Sequence, residues 1–75
     1  MSEFVICLDN GGSAASLTAG KVYRTLPDPK AAGHELLRVL DEDRSERDGY
    51  LYPATMFTAI ELPDAARRAL TAAGL

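Results

Sequence analysis

The chain has 75 residues, of which 47% are hydrophobic and 25% are charged, and its formal net charge at neutral pH is −3. This length accommodates one small domain. The composition excludes an intrinsically disordered chain, which has low hydrophobicity and high net charge. The 8 Lys and Arg residues are scattered along an acidic chain. A strongly basic surface of the kind that binds nucleic acid is therefore not expected.

Cys7 is the only cysteine and lies within the apolar run 4–8. A single cysteine excludes an intrachain disulfide, and this favours a reducing compartment. No basic segment precedes the apolar run, and no stretch approaches the roughly 20 apolar residues of a membrane-spanning helix. We therefore expect a cytoplasmic protein in which Cys7 is buried and unreactive, because no nearby cation lowers its pKa.

The first half of the chain predicts three strands separated by two loops. Residues 4–8 are continuously apolar and predict a central strand. Residues 9–16 are rich in Gly, Ser and Ala and predict a long loop, after which 21–26 favour a second strand through β-branched and aromatic side chains. Two prolines make 27–34 an irregular loop, and the alternation in 35–41 predicts a third strand.

The second half predicts two more strands and a helix. Residues 41–49 form a charged, solvated hairpin tip, and 50–52 a strand with both of its tyrosines on one face. Pro53 then begins a tight turn, the alternation resumes in 58–62, and Pro, Ala and Gly spacing predicts a helix in 63–75. The predicted core includes Val5, Cys7, Tyr23, Leu37, Val39, Tyr52, Phe57 and Ile60.

This loop pattern resembles that of SH3 domains. Residues 6–10 stand where the family has Ala-Leu-Tyr-Asp-Tyr, 17–21 resemble its Leu-Ser-Phe-x-x-Gly-Glu turn, and 53–57 resemble its Pro-Ser-Asn-Tyr-Val. The resemblance implies an all-β fold, with a small five-stranded SH3-like barrel in residues 1–62 and a short C-terminal helix or tail of the same domain in 63–75. It extends to small bacterial SH3-like proteins, most of which have no assigned function.

The SH3 resemblance also indicates a candidate contact surface. SH3 domains bind proline-rich peptides in an aromatic groove. The corresponding positions of this chain are Leu8, Asn10, Leu36, Pro53 and Met56. None of them is aromatic, so a proline-rich peptide is not expected. The replacements keep the place largely apolar, and we predict that it contacts another protein or a second copy of the chain. The alternative is that the C-terminal helix covers it.

Asp41, Asp43 and Ser45 have the odd-numbered spacing of oxygen ligands in a calcium loop. Glu46 stands where such a loop needs glycine, and Tyr52 stands where it needs a bidentate glutamate. The sequence therefore predicts a solvated turn in which arginines and carboxylates pair with each other.

His34 is the only histidine, and one His with one Cys does not complete a four-ligand zinc site. No Ser, His and Asp spacing indicates a catalytic relay, and residues 9–16 lack the Gly-Lys-Ser/Thr ending of a phosphate loop. We therefore predict no catalytic residue, no metal and no cofactor. The expected function is a non-enzymatic interaction module.

The alternative to protein binding is nucleic-acid binding, in which exposed tyrosines of a small barrel stack on bases. Tyr23, Tyr50 and Tyr52 are the candidates, but their alternation within strands favours the core. An acidic chain also repels phosphates. Protein binding or self-association is therefore ranked first, nucleic-acid binding second and catalysis last.

Overall fold

The computed structural model describes residues 3–43 and 45–74; Met1, Ser2, Arg44 and Leu75 lie outside the description, and so do the parts of the predicted domain ends and hairpin tip that they form. The elements are β1 (Phe4–Cys7), β2 (Val22–Leu26), α1 (Pro29–Ala32), β3 (Leu36–Leu40), β4 (Tyr50–Pro53), a 3-10 turn (Ala54–Met56), β5 (Phe57–Ile60) and α2 (Asp64–Ala72). The strands form one antiparallel sheet in the order β4-β3-β2-β1-β5. The predicted all-β fold with a short C-terminal helix is confirmed. The sheet is not closed, and β4 and β5 are its edges.

Side chains alternate between the two faces of each strand, and the side chains on one face of the sheet form the main core. Its buried members are Val5, Cys7, Leu17, Tyr23, Val39 and Phe57, against which Leu37, Tyr52 and Met56 pack. The prediction for Ile60 is wrong. Ile60 pairs directly with Phe4, and Phe4 neighbours Val5 in β1, so both side chains lie on the opposite face of the sheet.

Leu17 is a core residue that the strand pattern did not predict. It is fully buried although it belongs to the long loop between β1 and β2. Its amide donates to the carbonyl of Ser13 (2.8 Å), and the amide of Glu42 donates to the carbonyl of Ser16 (2.9 Å). These bonds fold the loop back across the sheet and hold Leu17 against the core.

Helix α2 packs on the other face of the sheet, where Phe4 is buried. The Arg24 guanidinium lies 5.1 Å from the centre of the Phe4 ring and donates to Thr71 Oγ1 of α2 (2.8 Å). Ala66 and Leu70, four residues apart on α2, are half-buried. Neither of the described α-helices is long and apolar enough to cross a membrane.

The loop predicted in 27–34 contains one turn of helix, α1, so the prediction of wholly irregular structure is wrong there. Pro29 stands in the first turn, where a missing N–H costs nothing. Asp28 caps the turn by accepting from the amide of Ala31 (3.0 Å), and its other oxygen accepts from Nε of Arg38 (2.8 Å). The Ala31 amide first and Arg38 second hold the pKa of Asp28 below its usual value.

Candidate functional site

The five predicted contact residues, Leu8, Asn10, Leu36, Pro53 and Met56, are called the loop surface below. Leu8 follows β1 and is 57% exposed, the highest exposure among the large apolar side chains that the structure describes. Its amide donates to the carbonyl of Met56 (2.7 Å). Leu8 and Met56 are therefore brought together, with Leu8 projecting into solvent and Met56 half-buried against the core.

The second pair of the loop surface is Leu36 and Pro53. Leu36 begins β3, Pro53 ends β4, and the two lie directly opposite each other. Leu36 is half-buried and Pro53 is exposed. The preceding residue, Glu35, has φ 58°, a left-handed conformation that costs a non-glycine residue roughly 1–3 kcal/mol. Its carbonyl accepts from the amide of Ala54 (2.9 Å), which ties the 3-10 turn to the start of β3. The turn thus connects the Leu36 pair to the Leu8 pair.

Asn10 is the polar member of the loop surface, and its side chain stabilises the loop. Its Oδ1 accepts from the amide of Gly12 (3.0 Å), and Oδ1 of Asp9 accepts from the amide of Gly11 (2.8 Å). A Cβ added at Gly11 would lie 3.0 Å from Cε of Met56. The glycine therefore allows the loop next to Asn10 to approach Met56 closely.

Hydrogen bonds and an ion pair join Arg67 of α2 to Glu3, just before β1, and Thr71 of α2 to Arg24 of β2. Glu3 precedes β1 and Leu8 follows it, so these contacts lie at the end of β1 opposite to the loop surface. Leu8 remains exposed with α2 in place. The helix therefore does not cover the most exposed apolar side chain of the loop surface.

Three tyrosine hydroxyls donate to consecutive carboxylates in the segment after β3. Tyr23 donates to Glu42 (2.6 Å), Tyr50 to Asp43 (3.1 Å) and Tyr52 to Asp41.

Asp41 is 2% exposed and also accepts from the amide of Asp43 (2.9 Å), so the prediction of a solvated tip is wrong at this residue. A carboxylate is buried without a large cost when donors satisfy its oxygens. Asp41 therefore anchors the tip to the sheet.

These contacts also limit what the tyrosines do. Tyr23 is 1% exposed, and the Tyr52 ring packs edge-on against Phe57 with centroids 6.0 Å apart. These two rings are largely covered, whereas the Tyr50 ring is 38% exposed. Oδ1 of Asp43 accepts from both the amide and the hydroxyl of Ser45. Within the described residues no group of three or more His, Cys, Asp or Glu side chains is arranged to hold a metal ion.

The Tyr52 contact predicts an alkaline loss of stability. Burial first and the Asp41 carboxylate second raise the pKa of Tyr52 to about 12, above the value near 10 of an unfolded tyrosine. The contribution of the Tyr52 hydroxyl to the free energy of unfolding is therefore fully present below pH 10 and is lost as the pH rises from about 10 to about 12. Two pKa units correspond to at most about 2.7 kcal/mol, which partial exposure reduces to roughly 1–2 kcal/mol in urea unfolding.

Tyr52→Phe is the matched control for this pH dependence. It lowers the free energy of unfolding at neutral pH by roughly 1–3 kcal/mol, because buried Asp41 loses a donor. It also removes the Tyr52 part of the alkaline loss, whereas the part that comes from the raised pKa of Tyr23 remains in both proteins. Equal slopes for the two proteins between pH 10 and 12 would contradict the assignment.

Cys7 is 1% exposed, so its predicted burial is confirmed. Burial raises the pKa of its thiol, and Sγ donates weakly to the carbonyl of Asp9 (3.5 Å). A thiol with a raised pKa has little reactive thiolate at neutral pH. Its lack of reactivity remains a prediction.

His34, the other side chain considered as a zinc ligand, is exposed just after α1, where its backbone amide donates to the carbonyl of Ala31.

The sequence predicts scattered basic residues, but three arginines come together beside α2. They line a cavity of about 620 Å³. Its lining residues are Glu3, Arg24, Asp64, Arg67, Arg68, Thr71 and Ala72. Arg67 and Arg68 are adjacent in the sequence, and this is the one local indication of a basic site. Their proximity to Arg24 depends on how α2 crosses the sheet.

The five-stranded antiparallel sheet is compatible with an SH3-like fold. Its candidate sites are the loop surface after β1 and the arginine-lined cavity beside α2. Comparison of the chain with protein-family models, with curated proteins and with solved structures found no significant match.

Proposed function

We propose that this protein is a non-enzymatic interaction module that binds another polypeptide on the loop surface. The observation that carries the proposal is the position of Leu8. A large apolar side chain that is 57% exposed is held in place by the hydrogen bond from its amide to Met56. A partner that covers Leu8 removes apolar surface from water without requiring the backbone to reorganise.

The proposed architecture is an SH3-like barrel. The strand order, the long loop between β1 and β2 and the 3-10 turn between β4 and β5 support it. In this architecture the loop surface lies where SH3 domains receive their peptides. None of its five residues is aromatic, so the proposed partner is not a proline-rich helix.

The charges beside the loop surface define the partner further. Asp9 follows Leu8 and Glu35 precedes Leu36, and both acidic residues are exposed. The chain as a whole carries a net charge of −3. The complementary partner is an extended segment with aliphatic side chains flanked by Lys or Arg, because opposite charges speed association and select the binding register.

Leu8→Glu and Leu51→Glu form a matched pair for the test. Leu51 is 45% exposed in β4, where it lies opposite Arg38. We expect a displayed random-peptide library to yield ligands with aliphatic residues next to Lys or Arg. Leu8→Glu should weaken the selected peptides roughly tenfold or more, since a buried leucine contributes about 1.5–3 kcal/mol. Leu51→Glu should leave their affinity unchanged.

Other results identify other functions. Loss of affinity with Leu51→Glu but not with Leu8→Glu would move the contact surface to the sheet face. A dimer in sedimentation velocity that Leu8→Glu dissociates would make a second copy the occupant. Salt-dependent retention on single-stranded DNA without any selected peptide would favour the nucleic-acid alternative.

A further inference from the structure

The cavity beside α2 contains three guanidinium groups, those of Arg24, Arg67 and Arg68. Nη2 of Arg24 lies 3.2 Å from Oε1 of Glu3, and Nη2 of Arg67 lies 3.1 Å from Oε2 of the same carboxylate. Asp64, one turn before Arg67, lies 3.9 Å from Nη1 of Arg67. Glu3 thus bridges two arginines from different elements.

The cavity holds more hydrogen-bond donors than acceptors. Each guanidinium carries roughly five N–H donors. The described acceptors for them are the Glu3 and Asp64 carboxylates and Oγ1 of Thr71. Nε of Arg24 is buried and has no hydrogen-bond partner among the described residues. That donor is shielded from solvent, so a ligand in the cavity accepts from the other N–H groups of the three guanidiniums.

The charge of the lining is positive although the protein is acidic. Three arginines and two carboxylates leave one net positive charge within the cavity. Arg68 is exposed, and no ion pair of its side chain occurs within residues 3–43 and 45–74. The site therefore attracts an anion, while the net charge of −3 opposes the approach of a long polyanion.

We propose that this cavity binds the phosphate group of a small organic phosphate monoester. A phosphate monoester has three terminal oxygens and a charge of about −1.5 to −2, so it can accept from three guanidiniums at once. A carboxylate ligand has only two acceptor oxygens, and Glu3 already places a carboxylate between Arg24 and Arg67. A carboxylate ligand would therefore add less than a phosphate does. A volume of about 620 Å³ accommodates the organic part as well as the phosphate.

Glu3 competes with the ligand in this proposal. Its two oxygens occupy the Nη2 groups of Arg24 and Arg67, which the phosphate needs. Binding therefore requires Glu3 to be displaced toward solvent. The Glu3–Arg67 pair is exposed and contributes only about 0–1 kcal/mol, whereas the Glu3–Arg24 pair, in which the Arg24 side chain is 22% exposed, sets most of the cost of the displacement. The site lies at the end of β1 opposite to Leu8 and does not depend on the proposed protein-binding function.

The test is a titration of the full chain with phenyl phosphate, followed by backbone amide NMR. We expect saturable shifts at Arg67, Arg68 and Thr71. Arg68→Gln should weaken binding roughly fivefold or more. Glu3→Gln should strengthen it by a similar factor, because Arg24 and Arg67 are no longer paired. A purely structural ion-pair network would not produce that increase.

The matched control is Arg47→Gln, an exposed arginine outside the cavity, which should leave the affinity unchanged. Thermal melting shows whether Glu3→Gln keeps α2 docked; if it does not, the Arg68→Gln result alone decides. The proposal is overturned if Arg47→Gln weakens binding as much as Arg68→Gln does, or if phenylacetate binds as tightly as phenyl phosphate. Binding of a single-stranded oligonucleotide with no response to phenyl phosphate would also overturn it.

Discussion

Gly49→Ala is expected to unfold most of the protein or to lower its melting temperature far more than the exposed Gly12→Ala does. Gly49 precedes β4, has φ 66° and is buried. A Cβ at this position would overlap the carbonyl oxygen of Val39 and would lie 2.9 Å from its carbonyl carbon. Val39 belongs to the core and pairs with Tyr50, so neither backbone segment can move away without breaking the β3–β4 pairing.

The expected cost of Gly49→Ala is roughly 3 kcal/mol or more, because left-handed strain and backbone overlap add together. The whole free energy of unfolding for a chain of this length is roughly 4–11 kcal/mol. The melting temperature should therefore fall by about 12–24 °C in circular dichroism or calorimetry.

Gly12→Ala is the control for this change. Gly12 has φ 86°, but no atom lies within 4 Å of the added Cβ. It should cost roughly 1–2 kcal/mol from the conformation alone. An equal fall in melting temperature in the two variants would show that the overlap with Val39 contributes nothing. Gly49 would then lie further from the Val39 carbonyl than in the structure.

Leu17→Ala is the second change with a large expected effect. Leu17 is fully buried, and its removal leaves a cavity between the loop and the core residues that it covers. Such a change costs roughly 2–5 kcal/mol in urea unfolding. Leu8→Ala is the control, because Leu8 is largely exposed and its truncation should change stability by about 0.5 kcal/mol or less.

A small effect of Leu17→Ala would contradict the burial of the loop. It would mean that residues 9–20 do not cover the core in solution and that the apolar cluster ends at the sheet. A large effect of Leu8→Ala would instead place Leu8 in the core, and the loop surface would lose its most exposed member.

The strands and the C-terminal helix could be predicted because their signals are local. The continuous apolar run 4–8 predicts β1 and the alternation in 35–41 predicts β3, and the predicted core residues Val5, Cys7 and Val39 are buried in these strands. Helix α2 lies between Pro63, which cannot continue a strand ladder, and Gly74, whose φ of 90° suits a helix end. The tight turn after Pro53 likewise follows from the missing N–H of proline.

Short elements and strand ends were less predictable. The turn of helix α1 depends on the Asp28 cap, which Arg38 of β3 supports from outside the segment. Ile60 has the alternation of a core residue, but its pairing with Phe4 places it on the outer face. In both cases a neighbouring strand, and not the local pattern, decides the outcome.

The local order of residues thus accounts for the strands and the C-terminal helix, since strand and helix periodicity need only neighbouring residues. The tertiary structure alone places Leu17 in the core, buries Asp41 under the Tyr52 hydroxyl and gathers Arg24 beside Arg67. Each of these arrangements joins residues from different elements of the fold. Their energies depend on burial and on the distance between charges, which exist only once the loop and α2 have packed on the sheet.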